Sequence, residues 1–169
     1  MTSADVRCQS STSAEQAGPL CRLVATRAEL DIHLAIREAV FVREQAIFTG
    51  TDRDDHDDDP RTLHVLGFVG QEPAGAVRLY PIIGPGLWKG DRLAVLPQYR
   101  RQQLGGPLVR FAVRTAAERG GRQMQAYIQP PNVVFFQHLG WRPDGEVLQY
   151  CGRPHQRMLI DLGPWGRRG

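Results

Sequence analysis

The residues best suited to chemistry in this chain lie in one segment, residues 92–106. Its sequence predicts an apolar strand, a turn led by proline, the paired arginines Arg100 and Arg101, and a helix that begins at Gly106 or Pro107. A helix N-terminus presents free backbone N–H groups at the positive end of its dipole, and arginine adds forked, charged donors. We therefore expect the arginines and the amides that follow them to bind a pyrophosphate.

Composition and charge place the chain among folded globular proteins. Of its 169 residues, 41% are hydrophobic and 23% are charged, which is typical of one domain with a packed core. The net charge is +3 and the basic residues are scattered, which argues against a nucleic-acid partner. No apolar run approaches the ~20 residues of a membrane span and no signal peptide is evident, so we expect no membrane partner.

The cysteines and the chain ends add expectations about compartment and domain limits. The three cysteines show no C-x-x-C spacing, and free thiols in a reducing compartment predict a cytoplasmic protein. Residues 1–18 are rich in Ser, Thr, Ala and Gln, which predicts a mobile tail. We expect a single domain over residues 19–163 and a short tail over residues 164–169.

The elements that must position the 92–106 segment follow from apolar periodicity, capping residues and turn residues. Strands are predicted over residues 20–25, 63–69, 74–80, 91–96, 123–128, 141–150 and 156–162, and helices from Thr26 to about Gln45, from Gly106 or Pro107 to Gly120, and from Pro130 to Gly140. The resulting order is β-α-β-β-β-α-β-α-β-β, a mixed α/β arrangement.

The segment already described and three further stretches support a family resemblance. The segment around Arg100 resembles motif A of the GNAT superfamily of N-acyltransferases, where it holds the pyrophosphate of coenzyme A. Residues 132–141, Asn-Val-Val-Phe-Phe-Gln-His-Leu-Gly-Trp, are similar to the N-x-x-x-F-Y-x-x-x-G-F signature of that family. Residues 152–158 and 40–45 resemble the G-I-P-H-x-x-M and V-F-x-x-E-Q stretches of its small bacterial ElaA-like subgroup.

The resemblance implies a fold and a co-substrate. The predicted element order matches the GNAT fold, a twisted mixed sheet with helices on both faces, in which the fourth and fifth strands splay apart to admit the acyl carrier. It implies acetyl-CoA as co-substrate and no metal. The residues implied to contact the coenzyme are Leu93, Ala94, Val95, Arg100, Arg101, Gln102, Gln103, Leu104, Gly105, Gly106, Asn132, Phe135 and Phe136.

Two positions depart from the family pattern. Gln103 stands where the phosphate motif has its first glycine, so its Cβ would crowd the pyrophosphate or force a different loop. The amides of Gln103, Gly105 and Gly106 could still face phosphate. Phe136 stands where many members have a tyrosine that protonates the leaving thiolate. Another donor or water must then act, or the thiolate leaves unprotonated, since thiol pKa values lie near 8.5.

Candidates for the remaining chemistry each have an alternative interpretation. Glu44 and His155 are candidate general bases; the alternatives are a solvated helix-end charge and a structural hydrogen bond beside Pro154. Arg78 could hold a substrate carboxylate. Alternatively, it could be a strand residue whose apolar stem lies along the protein surface while its charge reaches solvent. The acidic loop over residues 52–59 is interpreted as a solvated loop, with an amine-attracting lip as the second interpretation.

The leading hypothesis is an N-acetyltransferase that acts on a primary amine of a small molecule or peptide by direct attack on the thioester. A non-catalytic acyl-CoA sensor or interaction module is the alternative, supported by Gln103 and Phe136. An acyl-homoserine-lactone synthase is a further hypothesis, because that family shares the fold. We also consider a homodimer.

Overall fold

Eight strands form one mixed sheet in residues 19–166, the part of the chain that the computed structural model describes. The strands are β1 (Leu20–Leu23), β2 (Leu63–Val69), β3 (Glu72–Pro81), β4 (Leu87–Val95), β5 (Gln123–Ile128), β6 (Arg142–Pro143), β7 (Leu148–Tyr150) and β8 (Arg153–Asp161). Their order is β1-β2-β3-β4-β5-β8-β6, with β7 also paired to β8. The neighbours β4 and β5 are parallel, and the other pairs are antiparallel.

Three α-helices pack on this sheet: α1 (Arg27–Arg37), α2 (Gly105–Glu118) and α3 (Val133–His138). The hydroxyl of Thr26 accepts from the backbone N–H of Glu29 at 3.2 Å, which confirms the predicted cap. Beyond α1 the chain continues as a π-helix, Glu38–Glu44, so the predicted first helix has its expected span but changes its hydrogen-bond pattern.

The two faces of the sheet carry separate apolar cores. On one face, α2 packs through Leu104 and Leu108, which are fully buried. On the other face, Ile36 and Val40 from α1 and its π-helical extension pack against alternate strand residues. Gly75 on β3 lets α2 approach, because a Cβ there would lie 2.8 Å from Leu108 Cδ1. This close contact fixes the N-terminal end of α2 against the sheet.

The strands β4 and β5 separate along their length, as the resemblance implied. They pair only where Leu87–Lys89 faces Gln123–Gln125. Farther along, β4 contains an irregularity opposite β3, and Arg92 adopts a left-handed conformation with φ +53°. The carboxyl-terminal half of β4 therefore turns away from β5, and a cleft opens between them.

Several predicted boundaries differ from the structure. The strand β4 begins at Leu87, before the predicted start, and the predicted strand over residues 141–150 is divided into β6 and β7. Trp165 lies in a short 3₁₀ turn, Gly163–Trp165, and packs on the core past the predicted domain limit at residue 163. The tail predicted for residues 1–18 lies outside the described residues. Among residues 19–166, no helix is long and apolar enough to cross a membrane.

Candidate active site

A groove of about 1010 Å³ runs along the N-terminal end of α2. Its walls come from the splayed half of β4, the start of α2 and the helix α3. The predicted coenzyme residues that line it are Leu93, Ala94, Val95, Arg100, Gln102, Gln103, Leu104, Gly105, Gly106, Asn132, Phe135 and Phe136. Arg101, in the turn Pro97–Gln102, is exposed and is not among the lining residues.

The phosphate segment reaches α2 through a strained residue. Gln103, at the position of the family's glycine, adopts the left-handed conformation that glycine favours, with φ +55°. Its N–H donates to Arg100 O at 3.3 Å, so this amide, expected to face phosphate, is occupied in this structure. The first turn of α2 supplies the remaining donors at Gly105 and Gly106, since first-turn amides have no partner within a helix.

Glu44, a predicted base, is paired with Arg100, a predicted phosphate ligand. The Arg100 guanidinium donates to both carboxylate oxygens, at 2.6 and 2.7 Å, and its Nε donates to Val95 O at 3.2 Å. The hydrogen bond from Arg100 lowers the pKa of Glu44. Glu44 does not line either cavity described here. A paired carboxylate of lowered pKa is a weaker base than the sequence led us to expect.

A second cavity, about 160 Å³, lies between the separating ends of β4 and β5. Its lining is mostly apolar and includes aromatic and polar side chains, among them Phe48, Asp91, Tyr127, Tyr150 and His155. Leu93, Asn132 and Phe136 line both this cavity and the groove. The two spaces therefore meet at these three residues, beside the part of β4 that has no partner on its β5 side.

His155 is the predicted base that the structure places at the second cavity. It is 6% exposed, and its Nδ1 lies 2.9 Å from Arg153 O. A carbonyl oxygen can only accept, so we assign the proton of the neutral ring to Nδ1. The Nε2 atom is then an acceptor, which is the form that a general base requires.

Trp141 adds an unsatisfied donor that sequence reasoning did not identify. Its ring lines the second cavity, is 5% exposed and packs edge-on against Phe136. Within the described residues, its Nε1–H is buried without a hydrogen-bond partner. Buried donors are nearly always satisfied, so a polar atom of a bound ligand would suit this position. The sequence signal was its place at the end of the 132–141 motif.

Arg78, predicted to contact substrate, is placed in a buried ion network instead. It is fully buried and lines neither cavity described here. Its guanidinium binds Asp54 through Nη1 at 2.6 Å and Asp91 through Nη2 at 2.8 Å. With its donors used by two carboxylates, the geometry supports a structural role in holding the acidic loop to β4.

The acidic loop, interpreted from the sequence as a solvated loop, is partly buried. Asp52 and Asp57 are 2% and 8% exposed, and both bind Arg37, which is itself fully buried. Asp55 and Asp58 remain exposed. The loop is therefore anchored by ion pairs beside the second cavity. Among residues 19–166, no group of three or more His, Cys, Asp or Glu side chains is placed to hold a metal ion.

Comparisons with known sequences agree with this geometry. A sequence model of the acetyltransferase (GNAT) family matches residues 31–141. The chain is similar to the uncharacterized N-acetyltransferase YjcF of Bacillus subtilis, with 30% identity over 128 residues that cover 75% of this chain and 88% of that protein. A second relative from Bacillus subtilis, whose name marks it as an acetyltransferase, is 32% identical over 137 residues, or 77% of this chain and 89% of the relative.

Solved structures share the fold. Escherichia coli ElaA superposes with a TM-score of 0.74 at 23% identity, covering 83% of this chain and 98% of ElaA. An acyl-CoA N-acyltransferase from Pseudomonas aeruginosa gives a TM-score of 0.71 at 24% identity, covering 85% of this chain and 99% of that protein. The family match spans most of the chain, and the sequence relatives are matched over nearly their whole length. The chain therefore belongs to the acetyltransferase (GNAT) family and is an enzyme of acyl transfer from acyl-CoA.

Proposed function

We propose that the protein transfers an acetyl group from acetyl-CoA to a primary amine, by direct attack of the amine on the thioester. The observation that carries this proposal is the meeting of the two cavities at Leu93, Asn132 and Phe136. The groove would hold the coenzyme, the second cavity would hold the amine, and the thioester carbonyl would lie where they join.

The coenzyme contacts follow from the groove. The first-turn amides of α2 at Gly105 and Gly106 would face the pyrophosphate, aided by the helix dipole. A Cβ built on Gly105 would touch only Phe135 Cζ, at 3.5 Å, so the open backbone at Gly105 is free for a phosphate. The pantetheine arm would lie along Leu93–Val95, where β4 has no strand partner on its β5 side.

The reaction follows from positioning and charge stabilisation. A backbone N–H in the part of β4 that has no partner on its β5 side would bind the oxyanion that forms when the amine attacks. His155 lines the second cavity, and its Nε2 would take the proton that the amine loses. The amide bond forms, the carbon–sulfur bond breaks, and the bonding electron pair leaves with the coenzyme sulfur.

Calorimetric titration with acetyl-CoA, followed by thiol-release assays over a panel of primary amines, tests the proposal. We expect binding in the micromolar to low millimolar range and thiol release that depends on the amine. Absence of binding at millimolar acetyl-CoA would overturn it. The amine panel should include apolar and aromatic amines, because the second cavity is lined mainly by apolar side chains.

Phe136 has no hydroxyl to protonate the thiolate, so thiol release is the measurement that decides whether a primary amine is the acceptor. Binding of acetyl-CoA without thiol release over the whole amine panel would reject the proposed acetyl transfer to a primary amine. The acyl-homoserine-lactone synthase BjaI shares the fold, with a TM-score of 0.73 at 18% identity, which is evidence about architecture alone.

A further inference from the structure

Lys89 is the only lysine in the sequence, and the structure places it against two tyrosines of the second cavity. Its Nζ donates to Tyr150 Oη at 3.1 Å. The ammonium also lies over the rings of Tyr127 and Tyr150, 5.1 and 4.9 Å from their centroids. The two rings are stacked with centroids 4.8 Å apart. Together these contacts fix where the Tyr150 hydroxyl lies.

The direction of this hydrogen bond leaves a proton available. An ammonium group has donors only, so Tyr150 Oη is the acceptor in its contact with Lys89. The hydroxyl's own hydrogen is therefore available for donation to another group. Tyr150 lines the second cavity together with Phe136, the position at which a phenol was expected and is absent.

His155 is the next group in this arrangement. Its ring meets the Tyr150 ring edge-on, with centroids 5.3 Å apart, and Nδ1 is committed to Arg153 O. Nε2 is left as the proton-accepting atom. The cavity lining thus holds, in adjacent rings, one group that can give a proton and one that can take it.

We propose that Tyr150 is the general acid that protonates the departing coenzyme A thiolate, and that Lys89 is its positioning residue. This inference rests on the proposed acetyl transfer. As the C–S bond breaks, the Tyr150 O–H proton moves to sulfur and the phenolate is held by the Lys89 ammonium. The proton lost by the attacking amine is taken by His155 Nε2 and returned to the phenolate. One proton passes from amine to thiol, and both side chains regain their starting states.

The test is the Tyr150→Phe variant, which keeps the stacked ring and removes the hydroxyl. We expect kcat to fall about 100-fold, the lower end of what a general acid contributes, with KM for acetyl-CoA within about twofold of the wild type. The deficit should be largest at neutral pH and shrink above about pH 8.5, where a thiol ionises unaided. A purely structural role for Tyr150 would not produce this pH dependence.

A second substitution provides rescue. Phe136→Tyr in the Tyr150→Phe background places a phenol at the cavity junction and should restore kcat at least tenfold. Lys89→Met should lower kcat while Lys89→Arg, which keeps a donor, should retain most of it. Tyr99→Phe removes a hydroxyl outside both cavities and should leave kcat unchanged.

The outcomes separate this inference from the proposed function. Wild-type turnover with a Tyr150→Phe kcat within twofold of it would overturn the acid assignment and leave acetyl transfer standing. A deficit of the same size at every pH, without rescue by Phe136→Tyr, would also overturn it. A wild type that binds acetyl-CoA and releases no thiol would overturn both.

Discussion

Arg100 and Glu44 form a two-pronged ion pair, Nη1–Oε1 2.6 Å and Nη2–Oε2 2.7 Å, although 56 residues separate them in sequence. The carboxylate occupies the donors that a phosphate would use. The two side chains are 44% and 35% exposed, and ion pairs of this exposure contribute little stability. We therefore expect a bound coenzyme to replace Glu44 on the Arg100 guanidinium.

Removing the competing carboxylate should strengthen coenzyme binding. Glu44→Gln should lower the Kd for coenzyme A two- to fivefold, about 0.5–1 kcal/mol, because an exposed pair of this kind must be broken first. Arg100→Ala should raise the Kd by about 1–3 kcal/mol through loss of a charged hydrogen bond. Calorimetry on both variants checks this. Arg101→Ala serves as the comparison, and we expect a smaller effect because Arg101 does not line the groove. An unchanged Kd in Arg100→Ala would contradict the phosphate assignment.

The left-handed conformation of Gln103 predicts an unusual response to glycine. A non-glycine residue in that conformation costs about 1–2 kcal/mol, whereas glycine in an ordinary position costs roughly 0.5–1 kcal/mol. Gln103→Gly should therefore leave the free energy of unfolding unchanged or raise it by up to about 1 kcal/mol. Urea unfolding measures this.

The neighbouring Gln102→Gly is the matched control for Gln103→Gly, because Gln102 has no positive φ. Gln102→Gly should lower the free energy of unfolding by roughly 0.5–1 kcal/mol. Gln103→Gly should also bind coenzyme A more tightly, since the Cβ that borders the groove is gone. Equal destabilisation by the two glycines would show that the strain inferred from φ does not matter.

Asp57 should be the acidic-loop residue to which stability is most sensitive. Its side chain is 1% exposed and contacts both Arg37 and Arg78. Burial opposes its ionisation, but hydrogen bonds from His64 and Arg37 and the charges of Arg37 and Arg78 outweigh burial and hold its pKa well below the usual range. Asp57→Asn should cost about 3–5 kcal/mol, because it leaves buried guanidinium charge unpaired.

Asp58→Asn is the matched control for Asp57→Asn, since Asp58 is 81% exposed, and it should have little effect on urea unfolding. The sign of the pH dependence follows from the lowered pKa. The contribution of Asp57 is present above the unfolded-state pKa of about 3.9 and is lost as the pH falls below it. Equal effects of the two substitutions on the free energy of unfolding would contradict the role of Asp57 as a buried anchor of the acidic loop.

His33 predicts a second, separate pH dependence. It is fully buried, and burial is the main reason that its pKa is lowered to about 3, with smaller contributions from the charges of His64 and Arg37. Between pH 6.5 and about 3 the unfolded chain binds the proton and the folded chain does not, so stability falls as the pH falls. His33→Gln should flatten the slope of unfolding free energy against pH by up to about 1.4 kcal/mol per unit. An unchanged slope would show that His33 is protonated in the folded protein.

Much of the fold could be predicted because its signals are local. Thr26 caps α1 through Glu29, three residues away, and Gly120 follows the end of α2 with φ +83°. These features depend on neighbours in sequence, as do the apolar run of β2 and the helical spacing of Leu104 and Leu108. The division of the 141–150 stretch into β6 and β7 was missed, because it depends on pairing with β8.

The sequence by itself determined the family and the groove, because the residues that build a helix N-terminus and its phosphate donors are contiguous. The tertiary structure decided the roles of the isolated charges. It joined Glu44 to Arg100, enclosed Arg78 among carboxylates and set Lys89 against Tyr150. These contacts depend on strand register, on the irregularity at Arg92 and on the separation of β4 from β5. No local pattern encodes them, since each partner lies far away along the chain.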